Sequence, residues 1–340
     1  MKRYKSDNWG LDPVSHVLYF DFDFINAPAG GKVWKDCGES LPEKTFEIIK
    51  NSDALLFGAI GLPDLPPGIA ESAILKIRQD LDLYVNMRPI KLYNPLRDRC
   101  PLRDEYIGKG IDFTIIRENT EGIYKGIGEI SDENAESVMY YTKKGCERIM
   151  RYACEFAKKN GHKKITSVDK ANVIKASQFW RNIFHKIGED YPDLEKEDVY
   201  IDAFCQWLIR APYSYETVVT GNMFGDITSD EGAFLIGSLG MAASGNINPG
   251  NVSMYEPIHG SAPDIAGKNI ANPIGTILSV KLMMQESFNS PKLGSLIEKS
   301  VEEALNEGRT IDIENKAFTT LTTKEMGDLI VKKLINLLKK

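Results

Sequence analysis

Short apolar runs alternate with longer amphipathic segments along most of the chain. Continuous or alternating apolar residues predict strands at 17–23, 54–60, 84–92, 113–116, 165–168, 199–204 and 218–220. Helical periodicity predicts helices at 42–51, 69–81, 143–160, 177–187, 275–284, 292–306 and 323–340, the first with Ser40 as its cap and Pro42 in its first turn. The alternation predicts an α/β fold with substantially parallel strands.

Composition limits the classes of protein and partner. A chain of 340 residues with 42% apolar residues suits one large or two smaller globular domains. No apolar run reaches the ~20 residues that a spanning helix needs, and the N-terminus has no secretory pattern. We therefore expect a cytoplasmic protein without a membrane partner. The net charge of −6 argues against nucleic acid as the main partner.

The five cysteines are scattered, and none forms a CxxC pair. They are interpreted as reduced thiols rather than as disulfides or zinc ligands. The chain also has no internal repeat and no low-complexity linker. A second domain is therefore expected to be inserted into the first rather than to follow it.

The segment GNMFGDITSD carries two acidic residues, Asp226 and Asp230, four positions apart. If the segment is helical, both carboxylates lie on one face with about 5–6 Å between their Cβ atoms. Two like charges at that distance favour a divalent metal between them. Alternatively, both acids lie in the first turn of a helix and interact with its N-terminus.

Three arginines, Arg78, Arg88 and Arg117, lie on or beside predicted elements, and two of them lie near strand ends, where α/β sheets bind ligands. A guanidinium group binds a carboxylate through two parallel hydrogen bonds, which suits a di- or tricarboxylate ligand. The alternative is three unrelated surface ion pairs.

Other candidate groups have weaker patterns. Lys170 follows a short strand and is a candidate base, whereas Tyr124 is a candidate for proton transfer; each is also explained by a structural role. The turn-rich segment 256–267 suits a phosphate or a ribose, or is an ordinary surface loop. No GxGxxG motif follows a strand, so the Rossmann fingerprint is absent.

Two blocks together resemble the β-decarboxylating dehydrogenases, the family of isopropylmalate, isocitrate, homoisocitrate and tartrate/D-malate dehydrogenases. They read TGNMFGDITSDEGAFLIGSLG and YEPIHGSAPDIAGKNIANPIG. The resemblance implies an open α/β sheet without a Rossmann motif, in two domains with a central cleft. Residues 1–83 and 237–340 would form a large discontinuous domain, and 84–236 a smaller domain for dimerisation and substrate binding.

The same resemblance implies a shared active site in a homodimer, with a tetramer left open. Asp202 and Lys170 would come from one subunit, and Asp226 and Asp230 from the other. The three aspartates would hold Mg²⁺ or Mn²⁺, Lys170 would be the general base, and Tyr124 would supply a proton. The substrate carboxylates would be bound by Arg78, Arg88 and Arg117.

By the same resemblance, the cofactor is NAD. Asp264 stands where NAD-dependent members place an acid on the adenosine ribose. The implied cofactor-binding residues are Glu71, His259, Gly260, Ser261, Ala262, Pro263, Asp264 and Asn272.

The helix before Arg78 bears on the substrate. It resembles the isopropylmalate branch, where Ile74 and Leu75 would line an apolar pocket for an isopropyl group. The predicted reaction is oxidative decarboxylation of 3-isopropylmalate in leucine biosynthesis. Apolar pockets discriminate by only about 1–3 kcal/mol per methylene, so broad activity on 3-alkylmalates is expected. Both residues are alternatively core residues, and homoisocitrate, D-malate, tartrate or isocitrate are alternative substrates.

The N-terminal stretch departs from the family pattern. Family members begin with a strand and a GDGIGPE-type turn, whereas this chain reads MKRYKSDNWGLDPVSHVLYFDF. A strand and a helix of the large domain are therefore expected to be missing or replaced. This departure leaves a non-catalytic paralogue or a truncated form as a further alternative.

Overall fold

A computed structural model describes residues 21–66 and 68–339. Its helices are α1 Gly31–Cys37, α2 Glu43–Lys50, α3 Ile69–Asp80, α4 Asp104–Ile107, α5 Lys143–Lys159, α6 Lys175–Gly188, α7 Ile201–Arg210, α8 Asn222–Leu235, α9 Ile274–Glu286, α10 Pro291–Leu305 and α11 Thr323–Leu338. Its strands are β1 Leu55–Leu56, β2 Val85–Lys91, β3 Asp112–Glu118, β4 Gly128–Ile130, β5 Ala135–Ser137, β6 Lys164–Asp169, β7 Glu195–Tyr200, β8 Thr217–Thr220, β9 Ala243–Ile247, β10 Met254–Pro257, β11 Gly308–Arg309 and β12 Thr319–Thr320.

One eight-stranded sheet runs through the described part of the chain, in the order β1-β10-β9-β2-β3-β8-β6-β7. This confirms the predicted α/β class. The prediction of substantially parallel strands holds for one side of the sheet, where β3, β8, β6 and β7 are mutually parallel, and for the β1–β10 pair at the other edge. The pairs β2–β3, β2–β9 and β9–β10 are antiparallel, so the sheet is mixed.

The strand β9 of the sheet was not predicted, and one predicted strand is largely wrong. The Gly-rich segment 237–250, for which no element was predicted, contains β9, a central strand whose residues are all buried. The apolar run 54–60, predicted as a strand buried on both faces, forms only the two-residue strand β1, and Leu56 is exposed. Side-chain polarity alone does not distinguish a central strand from an edge strand, because the neighbours come from distant parts of the sequence.

Three boundary predictions also need correction. The predicted strand 199–204 divides at Tyr200, where β7 ends and α7 begins, so Asp202 lies in the first turn of a helix. Pro42, not Ser40, caps α2, and the Ser40 hydroxyl instead contacts that of Ser72 at 2.8 Å. Of the predicted strand 17–23, residues 21–23 form no strand, and 17–20 lie outside the described residues.

The core has two clusters of buried apolar side chains. The larger one includes Met87 and Ile115 from the centre of the sheet, together with Leu278 of α9. It therefore contains residues from both sides of the domain boundary expected at 83/84 and 236/237. The smaller cluster, around Phe46 and Ile77, packs α2 and α3 against β10.

The predicted amphipathic helix α5 packs one face into the larger cluster, and Cys146 and Cys154 lie on that face with Ile149. All five cysteines are free thiols, as expected from their scatter. Among the described residues, no helix combines the length and the apolar character needed to cross a membrane.

Candidate active site

The C-terminal end of the strand β3 and the first half of α8 meet through a buried arginine. Arg117, with 1% of its surface exposed, donates from Nε and Nη2 to Asn222 Oδ1 at 3.0 and 2.6 Å, and from Nη1 to Asp226 Oδ1 at 2.6 Å. A Cβ at Gly225 would lie 2.7 Å from Arg117 Cγ. A glycine at this position therefore lets the helix approach the guanidinium closely.

A second arginine joins the same helix from β2. Arg88 Nη1 lies 3.1 Å from Asp226 Oδ1 and 3.6 Å from Asp230 Oδ1, and it also donates to the Ser229 hydroxyl. Both aspartates are therefore on one face of α8, as their spacing predicts. They are not in its first turn, so interaction with the helix N-terminus does not explain them.

Burial and the two guanidinium groups act in opposite directions on the acid pair. Burial raises the pKa of Asp226, but Arg117 and Arg88 outweigh it and leave that pKa below the usual value. Burial raises the pKa of Asp230 above the usual value, since Arg88 offsets it only in part. Burial and the neighbouring Arg88 lower the pKa of Arg117 to about 9, which keeps its charge at neutral pH. Asp226 is thus the more firmly ionised carboxylate.

Tyr124 completes this cluster. It lies in a single 3₁₀ turn, Ile123–Lys125, and its hydroxyl donates to Asp226 Oδ2 at 3.1 Å. The Arg117 guanidinium carbon lies 5.7 Å from the centre of its ring. Burial and the Asp226 charge raise the pKa of Tyr124, so the phenol keeps its proton at neutral pH.

The third predicted arginine, Arg78 of α3, pairs with a residue that the sequence analysis did not single out. Its Nη2 lies 2.9 Å from Glu256 Oε1, and both side chains are 11% exposed. Arg78 is also near enough to Arg88 for its charge to lower the pKa of Arg88, after the larger effect of burial. The structure therefore brings Arg78, Arg88, Arg117, Tyr124, Asp226 and Asp230 into one region.

Asn222, Ser229 and Glu256 are the partners that sequence reasoning missed. Asn222 and Ser229 lie within the quoted block at 220–240, but nothing in their spacing marks them as arginine partners. Glu256 is 178 positions from Arg78, so only the folded chain joins them.

Lys170 and Asp202 form a separate pair. Lys170 follows β6, Asp202 lies in the first turn of α7, and the ammonium group donates to Asp202 Oδ1. This hydrogen bond is the main reason that the pKa of Asp202 is lowered. Within the described part of a single chain, no three His, Cys, Asp or Glu side chains are arranged to hold a metal. Asp202 thus does not join Asp226 and Asp230 in one chain.

The predicted apolar pocket residues lie on α3. Ile74 is partly buried and packs against the smaller core cluster, whereas Leu75 is partly buried and belongs to neither cluster. Glu71 lies exposed in the first turn of the same helix.

The predicted cofactor loop, His259–Asp264, follows β10. His259 and Ser261 are partly exposed, and Gly260 and Asp264 are exposed. Ala262 has a left-handed backbone (φ 43°) and begins the 3₁₀ turn Pro263–Ile265. This turn presents the Asp264 carboxylate at the surface.

Asn272 is different, because its side chain is buried and its polar atoms are bonded within the protein. Its Nδ2 donates to Asp312 Oδ2 at 3.0 Å, and its Oδ1 accepts from the Ile274 backbone at 2.9 Å. The Asn272 side chain is therefore already occupied, and only the backbone of this residue is available to bind a nucleotide.

The arrangement matches a known family. The model of the isocitrate/isopropylmalate dehydrogenase family matches residues 11–330 of this chain. The chain belongs to the isocitrate/isopropylmalate dehydrogenase family. It is 46% identical over 334 residues to a 3-isopropylmalate dehydrogenase of Aquifex aeolicus (strain VF5), which covers 95% of this chain and 91% of that protein.

Solved structures agree with this assignment. The crystal structure of isocitrate dehydrogenase from Methylococcus capsulatus superposes with a TM-score of 0.81 at 34% identity, over 90% of this chain and 88% of the other. A β-decarboxylating dehydrogenase from Thermococcus kodakarensis, in its apo form, gives 0.76 at 38% identity, over 91% and 86%. The predictions of the family, of its fold and of a β-decarboxylating dehydrogenase are confirmed.

Membership of the isocitrate/isopropylmalate dehydrogenase family implies a dinucleotide cofactor and a divalent metal. The donor chemistry at α8 fits the metal, because two carboxylates on one face supply the oxygen ligands that hard cations prefer. The loop at 259–264 fits a nucleotide, because it combines an exposed carboxylate with exposed turn backbone.

Proposed function

We propose that this protein is an NAD-dependent 3-isopropylmalate dehydrogenase of leucine biosynthesis. The reaction oxidises the 2-hydroxyl of 3-isopropylmalate and removes the carboxyl group on C3, which is β to the new carbonyl, and it yields a branched 2-oxo acid, carbon dioxide and NADH. The observation that carries the proposal is the convergence of Arg88, Arg117 and Tyr124 on Asp226. The names of the most similar relatives supply the substrate.

The arginines bind the two malate carboxylates in this proposal. Arg88 and Arg117 are buried and rigidly held from opposite strands of the β2–β3 pair, while Arg78 reaches the site from α3. Fixed guanidinium groups orient a dicarboxylate without loss of rotamer freedom on binding. They also offset the negative charge that substrate and aspartates bring together.

Two side chains move protons. Lys170 takes the proton of the substrate hydroxyl, and Tyr124, which keeps its proton at neutral pH, gives one to the carbon that loses CO₂. When bound, Mg²⁺ or Mn²⁺ would withdraw electron density from the substrate oxygen, and NAD would accept the hydride. Asp226 and Asp230, with Asp202 of a second subunit, would hold the metal.

An apolar wall for the isopropyl group is assigned to Leu75 and Ile74. Leu75 is the better candidate for this wall, because Ile74 already packs against the smaller core cluster. Such a wall discriminates weakly between alkyl groups, so other 3-alkylmalates are expected as slower substrates.

The exposed carboxylate of Asp264 supports the choice of NAD. An acidic side chain in the adenosine region accepts hydrogen bonds from the ribose hydroxyls and repels the 2′-phosphate of NADP. The exposed turn around Ala262 offers backbone N–H groups beside it.

The surface of α7 and α8 supports a homodimer with shared sites. Ile227 and Phe234 are 55% and 63% exposed, and their spacing of seven residues places them on one face of α8. Trp207 and Ile209 of α7 are also largely exposed, at 44% and 48%. A second copy of the chain is the proposed occupant, since it would bring another Lys170–Asp202 pair towards the aspartates of α8.

The substrate is tested by following NADH formation with a panel of 2-hydroxy acids in the presence of Mn²⁺. We expect the highest kcat/KM with 3-isopropylmalate and less with D-malate. Turnover restricted to isocitrate would replace the proposed substrate. A folded protein that is silent with every member of the panel would favour a non-catalytic paralogue.

The shared site is tested by subunit mixing. Lys170→Met and Asp226→Asn chains are each expected to be inactive. Random dimers of equal amounts should recover about one quarter of the wild-type activity, since half are mixed and each mixed dimer has one intact site of two. No recovery in mixed dimers that are shown to form would mean that both residues serve the same chain.

A further inference from the structure

A continuous line of buried or partly buried hydrogen bonds joins the two arginines Arg78 and Arg88. It runs through three side chains between them: Glu256, Asn246 and Asn86. The arginines belong to different elements, the helix α3 and the strand β2, and 178 positions separate Arg78 from Glu256. None of the three intermediate residues has an assigned role in the reaction.

The first half of the line fixes Arg78. Glu256 Oε1 accepts from Arg78 Nη2 at 2.9 Å and from Asn246 Nδ2 at 2.8 Å. Glu256 is 8% exposed, so its charge is largely withdrawn from water. A single carboxylate oxygen thus serves both the arginine and the amide.

The second half fixes Arg88. Asn246 Oδ1 accepts from Asn86 Nδ2 at 2.8 Å, and Asn86 Oδ1 accepts from Arg88 Nε at 2.6 Å. Asn86 and Asn246 stand directly opposite in the antiparallel β2–β9 pair, which brings their side chains together. Both are fully buried.

The partners of Asn246 allow only one orientation of its amide. Its oxygen receives N–H groups from Asn86 and from Asn119, the latter at 3.0 Å, while its nitrogen faces the Glu256 carboxylate. A flipped amide would place oxygen against carboxylate and nitrogen against two amide donors. Three of the four links are buried and the Arg78–Glu256 link is partly buried. Each unmade hydrogen bond would therefore be costly, and the line transmits orientation from one arginine to the other.

We propose that Asn246 is a positioning residue for substrate binding, which holds the Arg78 and Arg88 guanidinium groups in the relation that the two carboxylates of the substrate require. The inference rests on the proposed function, since it assumes that both arginines bind a dicarboxylate. It predicts that a change at Asn246 weakens binding of the hydroxy acid selectively, although Asn246 itself is fully buried.

The test replaces the hydrogen-bond donor that Asn246 presents to Glu256 by an acceptor. Asn246→Asp keeps the acceptor for Asn86 but turns a carboxylate oxygen towards Glu256. We expect the KM for the hydroxy acid to rise about 10- to 100-fold, as for a lost hydrogen bond to a charged group, with the KM for NAD little changed.

A matched control lies two residues along the chain. Asn248→Asp makes the same change in charge, but the Asn248 side chain donates to the Leu81 carbonyl, at 3.1 Å, and is not on the line. Asn246→Ser, which removes both links without adding charge, is the second variant if Asn246→Asp does not fold. A rise in KM for Asn246 variants that is absent for Asn248→Asp supports the proposal.

Two kinetic results would overturn it: an unchanged KM for the hydroxy acid in the Asn246 variants, or an equal rise in the KM for NAD. Binding of D-malate, measured by calorimetry, separates this inference from the choice of substrate, because D-malate has both carboxylates. Wild-type enzyme silent on 3-isopropylmalate would contradict the proposed function alone. Unchanged D-malate affinity in Asn246→Asp would contradict the positioning role.

Discussion

Arg117 and Asp226 form one ion pair, with 2.6 Å between Nη1 and Oδ1, although 109 positions separate them in the sequence. The family resemblance implies different roles for these residues, a carboxylate binder and a metal ligand. The contact joins the two roles, because the guanidinium that is proposed to bind the substrate also keeps the pKa of Asp226 low. A substitution at Arg117 should therefore affect both substrate and metal binding.

Replacement of Arg117 by lysine tests this coupling. Lysine keeps the charge but cannot reproduce the hydrogen bonds to both Asn222 and Asp226. We expect kcat/KM to fall about 100-fold or more, as for the loss of two charge-assisted hydrogen bonds, and the Mn²⁺ concentration for half-maximal rate to rise. Steady-state kinetics with varied metal measures both. Arg97→Lys, at an exposed ion pair, should leave both unchanged.

Tyr124→Phe removes one hydroxyl from the cluster around Asp226. If Tyr124 gives the final proton, kcat should fall about 10²- to 10⁴-fold while the KM for the hydroxy acid changes little. Stopped-flow measurement of NADH separates hydride transfer from later steps. Tyr106→Phe, at an exposed tyrosine on α4, serves as the control. A kcat within a few-fold of wild type would remove Tyr124 from the proton-transfer step.

Asp264→Ala tests the choice of dinucleotide. The exposed carboxylate is expected to bind the ribose and to repel the 2′-phosphate. The variant should have a KM for NAD that is raised about 10-fold, because one charge-assisted hydrogen bond is lost. Its preference for NAD over NADP should also be smaller. Initial rates with both dinucleotides at saturating hydroxy acid give the ratio. An unchanged preference would place the discrimination elsewhere.

Glu298 of α10 lies at the centre of a partly buried charge cluster outside the candidate active site. Its carboxylate lies 3.1 Å from Lys91 Nζ and 2.9 Å from Lys281 Nζ, and the Tyr93 hydroxyl donates to it at 3.2 Å. Burial raises its pKa, but the two lysines outweigh burial and leave the pKa below the usual 4.5. The charged form is therefore stabilised by folding.

A lowered carboxyl pKa gives stability that is complete above the unfolded-state value and is lost as the pH falls through the folded-state value. Glu298→Gln should lower the free energy of unfolding by about 1–3 kcal/mol at neutral pH. The difference in the free energy of unfolding between the variant and the wild type should narrow as the pH falls below 4.5, the usual pKa of the carboxyl group. Urea unfolding at several pH values measures it, with the exposed Glu105→Gln as the control. A difference independent of pH would indicate packing rather than charge.

Local patterns predicted seven of the described helices, namely α2, α3, α5, α6, α9, α10 and α11, and the strands β2, β3, β6 and β8, because periodicity records which face of an element is buried. The amphipathic segment 143–160 became α5, and the spacing of Asp226 and Asp230 correctly placed both on one helical face. The same reasoning failed at β9, where Gly and Asn residues form a central strand, and at Asp202, where a helix follows directly on a strand. In both cases the outcome depends on neighbours that a local window does not contain.

By itself, the sequence determined the α/β class and, through its two long motif blocks, the family, and it predicted the residues that are proposed to serve its chemistry. The tertiary structure decided which of these residues meet. It paired Arg117 with Asp226, gave Arg78 to Glu256, and separated Asp202 from the aspartates of α8. Spacing along a chain reports contacts within one helix or strand, whereas these contacts arise between elements whose order is set by the strand order and register of the sheet.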